Sequence, residues 1–229
     1  MTMKEIILGK SIKGKNIKGY SFGDENAFNK TLIIGGIHGN EPQSAEICEL
    51  YLKDVKDKSF PEDAFLLLIP CINPDGMELK TRGNANSVDL NRNFPTNTWQ
   101  GVTHKGNSAY FPGKNPASEP ETKIIVDLLS KYNFKKIISI HTNAVIQYEN
   151  SPMINYDGEH SRELAEKLSA VTRLMAHGDI GYATPGSLGT WIGVDLKKIS
   201  ITVELDRKKD AKELYKKHNK LFNISVLWI

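Results

Sequence analysis

Cysteine is nearly absent: the chain has two, Cys48 and Cys71, among 229 residues. Two cannot build the multi-bridge framework of a small secreted scaffold, and both sit in apolar stretches where a reduced, buried thiol is the usual state. Long hydrophobic runs are missing too. The run Ala64 to Ile69 falls far short of the ~20 residues a membrane-spanning helix needs, and Met1 to Lys10 lacks the apolar stretch and small-residue cleavage site of a secretory leader. Net charge is small as well: 30 Lys and Arg against 27 Asp and Glu leave +3, a balance too weak to predict nucleic-acid binding. Lys10, Lys13, Lys15 and Lys18 do cluster near the start, in a pattern that reads as a solvated hairpin. Together these absences lead to the expectation of a cytoplasmic protein in a reducing compartment, with neither a membrane nor a nucleic acid as partner.

What is present is an ordinary globular composition, 39% hydrophobic and 25% charged, on a chain long enough to bury a real core. Short β-type runs alternate with amphipathic helical stretches, beginning with Thr31 to Ile37, Glu41 to Lys56 and Ala64 to Ile69, and that alternation argues for an α/β layered fold. Further strands are expected at Lys136 to His141 and Ile199 to Leu205. Ser118 and Glu121 have the spacing of a capping box, so a helix should start there and run to Leu129. Leu164, Ala165, Leu168 and Val171 recur at helical spacing, as do Ala211, Leu214, Tyr215, His218, Leu221 and Phe222. The stretch from Asn73 to Pro116 is rich in Asn, Gly, Pro and Thr without periodicity; so long a connection inside a compact domain is usually functional. No repeat, low-complexity tract or linker divides the chain, and a single domain over residues 1–229 is the simplest expectation.

The string GGIHGNEP sends an apolar strand through two glycines to His38 and then, three positions on, to Glu41, with Pro42 suited to the first turn of a helix. Placed at a strand exit and a helix start, His38 and Glu41 can converge on one metal ion. Spacing alone is a weak signal, for His160 and Glu163 repeat it without strand or glycine turn; context separates the two. A catalytic zinc site takes three protein ligands and keeps one position open, and His₂Glu is an established set. A third ligand should be a histidine at a strand end, and His141 closes the run Lys136 to Ile140.

Longer strings carry a resemblance. GGIHGNEP, INPDGMELKTRGNANSVDLNRNFP, SEPET, ISIHT, GYATPGSLGTW and ITVEL, spread from about residue 31 to residue 205, resemble the zinc carboxypeptidase family in content and order, most closely its small bacterial branch acting on murein peptides. The resemblance implies a three-layer α/β/α domain with a central mixed sheet and one Zn²⁺ per chain held by His38, Glu41 and His141. It implies further that Arg82 steadies the carbonyl oxygen, that Asn91 and Arg92 hold the terminal carboxylate, that Tyr182 lies over the substrate, and that Glu204 is the catalytic glutamate.

The chemistry calls for the same residue types. Zinc brings the pKa of water toward ~7, a carboxylate must take the water proton and return it to the leaving amine, fixed positive charge is needed where an oxyanion develops, and a planar guanidinium suits bidentate grip of a carboxylate. After His141 the chain departs from its close relatives, with Thr142 and Asn143 where those tend to carry an acidic residue and proline. Thr142, Asn143 and the stretch to Asn150 are therefore candidates for contacts that set specificity. The leading expectation is an amidase cutting the γ-D-glutamyl–meso-diaminopimelate bond of a small murein peptide. A general peptide carboxypeptidase, an acyl-amino-acid deacylase and an inactive peptide-binding module remain as alternatives, and the oligomeric state is left open.

Overall fold

The computed structural model describes residues 3–101, 110–143, 152–179 and 181–227. In chain order the regular elements are β1 (Lys4–Lys10), β2 (Asn16–Gly23), β3 (Asn29–Ile34), α1 (Pro42–Val55), β4 (Ala64–Ile69), α2 (Pro74–Leu79), α3 (Pro120–Lys131), β5 (Lys136–Asn143), β6 (Met153–Asp157), α4 (Arg162–Thr172), β7 (Met175–His177), β8 (Ile199–Asp206), α5 (Ala211–His218) and α6 (Lys220–Leu227). The strands form one eight-stranded mixed sheet in the order β1-β2-β4-β3-β5-β8-β6-β7. Its centre, β4-β3-β5-β8, is parallel, and β2 and β6 join it antiparallel on either side. Among the described residues no helix is long and apolar enough to cross a membrane.

Side-chain alternation splits the core into two layers. Ile33, Leu66, Leu68, Ile138, Ile140, Ile201, Val203 and Leu205 face α1, α4, α5 and α6. On the opposite face Leu32, Ile34, Phe65, Leu67, Ile69 and Ile137 pack against α3 and the connections around Phe94 and Trp191. Burial on both faces is why these strands read as continuous apolar runs. The second face then changes character toward the carboxyl ends of β5 and β8. Ser139 pairs with Thr202 and His141 with Glu204 in the parallel register, so polar groups succeed Ile137 on the same side. Ligand sites of open α/β sheets form at this carboxyl edge.

Several expectations need adjusting. The first predicted strand stops at Ile34 rather than Ile37, because Gly36 turns the chain at φ +63°. A helix does start at Pro120, but without a capping box: Ser118 donates to Glu119 Oε1, and Glu121 accepts from Asn84 and from the backbone N–H of Ile12. The last helical stretch is broken into α5 and α6 at Asn219. The lysine-rich start is a hairpin, with Lys18 paired to Glu5 and Lys15 to Glu78. Cys48 is buried and Cys71 half-buried, both unpaired.

Candidate metal centre and active site

The loop between β3 and α1 carries the first two candidate ligands. Gly36 leaves room for Cys71 and Met77, and a side chain at Gly39 would run into the backbone of Gly76 in α2, so the loop lies flat on its neighbours. Ser44 clamps it, accepting from the Gly36 N–H at 3.1 Å and donating to the Glu41 carbonyl at 2.6 Å. Glu41 occupies the N-cap of α1 but its carboxylate makes no capping bond. That carboxylate instead bridges two imidazoles: Oε1 lies 2.8 Å from His38 Nδ1 and Oε2 lies 3.1 Å from His141 Nδ1, with the Thr142 N–H donating to Oε2 at 3.0 Å. The two rings sit 4.9 Å apart. All three residues are buried.

One ligand atom from each of His38, Glu41 and His141 falls within 4.8 Å of the others. Two imidazole nitrogens aimed at one carboxylate are the donor set and convergence a catalytic zinc ion needs. His141 Nε2 is buried with no hydrogen-bond partner among the described residues. The residues present therefore fit zinc.

Asp89, which sequence reasoning did not single out, organises the surroundings. It is fully buried; Oδ1 meets His38 Nε2 at 3.2 Å and accepts the Asn91 N–H at 2.9 Å, while Oδ2 accepts from Arg82 Nε at 2.8 Å. A carboxylate on the far nitrogen of a metal-binding histidine fixes its tautomer and orientation. Asp89 thus ties the candidate ligand His38 to the candidate oxyanion donor Arg82. Tyr110, also unanticipated, lies under both arginines, with the Arg82 guanidinium 4.9 Å and the Arg92 guanidinium 5.5 Å from its ring centre. The only local hint of Asp89 was its place in the string VDLNRNF.

The electrostatics follow from burial and pairing. Burial opposes charge on His38, but Glu41 and Asp89 outweigh it and raise the imidazolium pKa to about 9. Burial likewise opposes the Glu41 carboxylate, and the two histidines overcome it, holding the group well below the usual range. Asp89 is lowered despite its burial, through His38 and Arg82. Glu204 behaves differently: burial dominates and, with Glu41 reinforcing it against His141, lifts the carboxyl to about 7. A carboxyl group poised near neutrality beside a metal-binding cluster has the pKa a general base and acid needs.

The other sequence candidates are distributed as follows. Asn91 is oriented through its Oδ1, which accepts the Leu188 N–H at 2.9 Å, and Arg92 Nη1 donates to the Asn91 carbonyl at 2.7 Å. Tyr182, 64% exposed, stands on the wall of a cavity of about 430 Å³. Thr142 is fully buried and engages Glu41 through its backbone; Asn143 pairs with Asp206 in the ladder, and residues 144–151 lie outside the described residues. His160 bonds the Lys198 carbonyl at 2.8 Å and takes no part in this cluster.

Comparison with known proteins agrees with this geometry. The zinc carboxypeptidase family model matches residues 1–223. Murein peptide amidase A of Escherichia coli strain K12 is 34% identical over 182 residues, 76% of this chain and 69% of the relative. Its Vibrio campbellii counterpart is 30% identical over 221 residues, 89% and 83% of the two chains. The crystal structure of murein-tripeptide amidase MpaA from Escherichia coli O157 superposes with a TM-score of 0.74 at 30% identity, covering 96% of this chain and 90% of that one. Thrombin activatable fibrinolysis inhibitor shares the fold, with a TM-score of 0.79 at 22% identity. The match takes in the whole sheet together with the loop and strand ends that carry the histidine and glutamate cluster, and the chain belongs to the zinc carboxypeptidase family.

Proposed function

We propose that the chain is a zinc amidase that hydrolyses the bond to a carboxyl-terminal residue, with murein peptides as its substrates and the γ-D-glutamyl–meso-diaminopimelate bond as the one cut. The observation that carries the reading is the polar strip at the carboxyl edge of the sheet, where His38, Glu41 and His141 converge, Glu204 stands beside His141 in register, and Asp89 ties in Arg82. The bacterial relatives named murein peptide amidase A, at 34% and 30% identity, support the choice of substrate. A cytoplasmic place in peptidoglycan recycling belongs to the same proposal, and the unpaired thiols of Cys48 and Cys71 suit such a reducing compartment.

In this mechanism His38, Glu41 and His141 would hold zinc, which when bound supplies Lewis acidity and makes water a usable nucleophile near neutral pH. Glu204, with its pKa near 7, takes the proton from the attacking water and delivers it to the departing amine. Arg82 offers positive charge to the oxygen of the tetrahedral intermediate, held in position by its bond to Asp89. Asn91 and Arg92 grip the free carboxylate of the leaving residue, so the enzyme acts at chain ends. Tyr182 closes over the bound residue from the cavity wall.

Mass spectrometry of products from L-Ala-γ-D-Glu-meso-diaminopimelate, its amidated form, ordinary α-linked peptides and acyl-amino acids tests the reading. Free diaminopimelate should be released rapidly from the tripeptide and poorly from the amide. Faster cleavage of ordinary peptides would replace the murein reading with general carboxypeptidase activity, and preferred cleavage of acyl-amino acids with a deacylase.

A further inference from the structure

Arg82 and Arg92 meet on the same aromatic ring. The guanidinium carbon of Arg82 stands 4.9 Å and that of Arg92 5.5 Å from the centre of Tyr110, each over its face. The two positive charges are therefore within about a Debye length of each other, ~10 Å at 0.1 M salt, where repulsion is not fully screened. Arg82 is offset by Asp89 at 2.8 Å. Arg92 has no carboxylate within ion-pair distance among the described residues, and its Nη1 donates to an uncharged acceptor, the Asn91 carbonyl. What stands against the second charge is the negative face of the Tyr110 ring.

The fold fastens the ring there from its carboxyl side. The Asp89 N–H donates to the Phe111 carbonyl at 2.8 Å. Asn93, fully buried, donates through Nδ2 to the carbonyls of Pro112 at 2.8 Å and Asn115 at 3.0 Å, and its Oδ1 accepts the Glu119 N–H. Gly113 turns the chain at φ +85°, and a side chain there would strike Asn93 Nδ2 and Ser118 Oγ. The stretch after Tyr110 is thus bound to the same turn, Asp89 to Asn93, that presents Arg92. Tyr110 is 48% exposed, so it adds little to the core; the contacts its position secures are those with the two cations.

We infer that Tyr110 is a positioning residue, whose ring face holds Arg92 beside Arg82 so that the pair stands ready for a terminal carboxylate before one arrives. The assignment rests on the carboxyl-terminal hydrolase reading above, in which Arg92 grips that carboxylate, and it adds the group that keeps the grip in place. Without the ring Arg92 is free to extend into solvent, and the cost of bringing it back falls on substrate binding. The effect belongs mainly to KM, because Arg82 keeps its bond to Asp89. The role uses the face of the ring and not the hydroxyl, so Tyr110→Phe should behave as the unmutated protein does.

The test replaces Tyr110 by leucine, by phenylalanine, and by mono-, di- and trifluorinated phenylalanine, which keep the shape of the ring while withdrawing negative charge from its face. KM and kcat are measured on L-Ala-γ-D-Glu-meso-diaminopimelate with the zinc-loaded enzyme, and binding of free meso-diaminopimelate by calorimetry. The strength of a cation–π contact predicts that KM rises stepwise with fluorination to about 2- to 30-fold, with a parallel loss of diaminopimelate affinity and little change in kcat. In an Arg92→Ala background most of the trend in kcat/KM should vanish. Tyr110→Leu should match the trifluorinated ring; if it unfolds the protein, the fluorinated series decides alone. Equal KM and equal affinity from phenylalanine through its trifluorinated form overturn the inference and leave the hydrolase reading standing, and so does a trend of full size in Arg92→Ala. Stepwise loss of diaminopimelate binding by proteins that never cleave the tripeptide upholds the role of the ring and sinks the hydrolase reading. Absence of both cleavage and binding overturns the two together.

Discussion

Asp89→Asn is the most incisive perturbation of the candidate metal centre. The change preserves shape but replaces two accepting oxygens by one oxygen and one NH₂. Three donors converge on the wild-type carboxylate, His38 and the Asn91 N–H on Oδ1 and Arg82 on Oδ2. The amide does best by keeping its oxygen toward the pair, which turns its NH₂ against Arg82 Nε, donor facing donor. Arg82 then loses its anchor, and His38 loses the negative charge that makes its metal-facing nitrogen more basic. Loss of such an outer partner typically costs about 10- to 100-fold in metal affinity or activity, about 1.4 to 2.7 kcal/mol. Zinc affinity should be measured by competition with a chromophoric chelator, and kcat and KM on the murein tripeptide beside it. We expect affinity to fall within that range and kcat to fall further than zinc loading explains, because Arg82 is displaced at saturating metal too. Affinity and turnover both within twofold of wild type would refute the role assigned to Asp89.

His141→Ala should lose most of the roughly one zinc per chain expected of a three-ligand catalytic site, whereas His160→Ala, whose ring bonds Lys198, should keep it; stoichiometric metal in the first variant would sink the ligand assignment. Glu204→Gln should retain zinc and lose about 10²- to 10⁴-fold in kcat, and Arg82→Ala about 10²- to 10³-fold; unimpaired turnover in either contradicts its role. In zinc-free protein the His38 pKa, raised from 6.5 to about 9, contributes stability that is complete below pH 6.5 and is lost as pH rises through 9. Glu204, raised to about 7, adds a loss of the same sign at lower pH. The Tm of the zinc-free protein should therefore fall between pH 4.5 and about 9 and the zinc-loaded protein should show a flatter profile; a level zinc-free profile would be the wrong outcome.

The parallel centre of the sheet was legible because both of its faces are buried: β4 matches the run Ala64 to Ile69 residue for residue. The strands β6 and β7 were not, since MINYD turns Asn155 and Asp157 toward the cavity and so lacks the apolar stretch that marks a core strand. The break at Asn219 was hidden because Leu214, Leu221 and Phe222 stay buried on both sides of it, leaving the helical period unbroken. Of the site, His38 and Glu41 could be read from the glycine turn between strand and helix. Asp89 could not be argued from its residue type, because its importance comes from partners at positions 38, 82 and 91 that only the fold assembles. Tyr110 escaped notice for the same reason, its ring meeting two arginines that lie 28 and 18 positions earlier.

The pairing of His141 with Glu204 has a consequence for redesign. The two residues sit on adjacent strands joined by backbone hydrogen bonds, so the separation between the candidate metal ligand and the carboxylate proposed to transfer the proton is set by the strand spacing of about 4.8 Å. Side-chain exchanges elsewhere leave that spacing untouched. Residues of β6, the next strand over, can thus be varied while His141 and Glu204 keep their distance. Libraries aimed at new amide substrates should randomise the cavity wall and hold β5 and β8 constant.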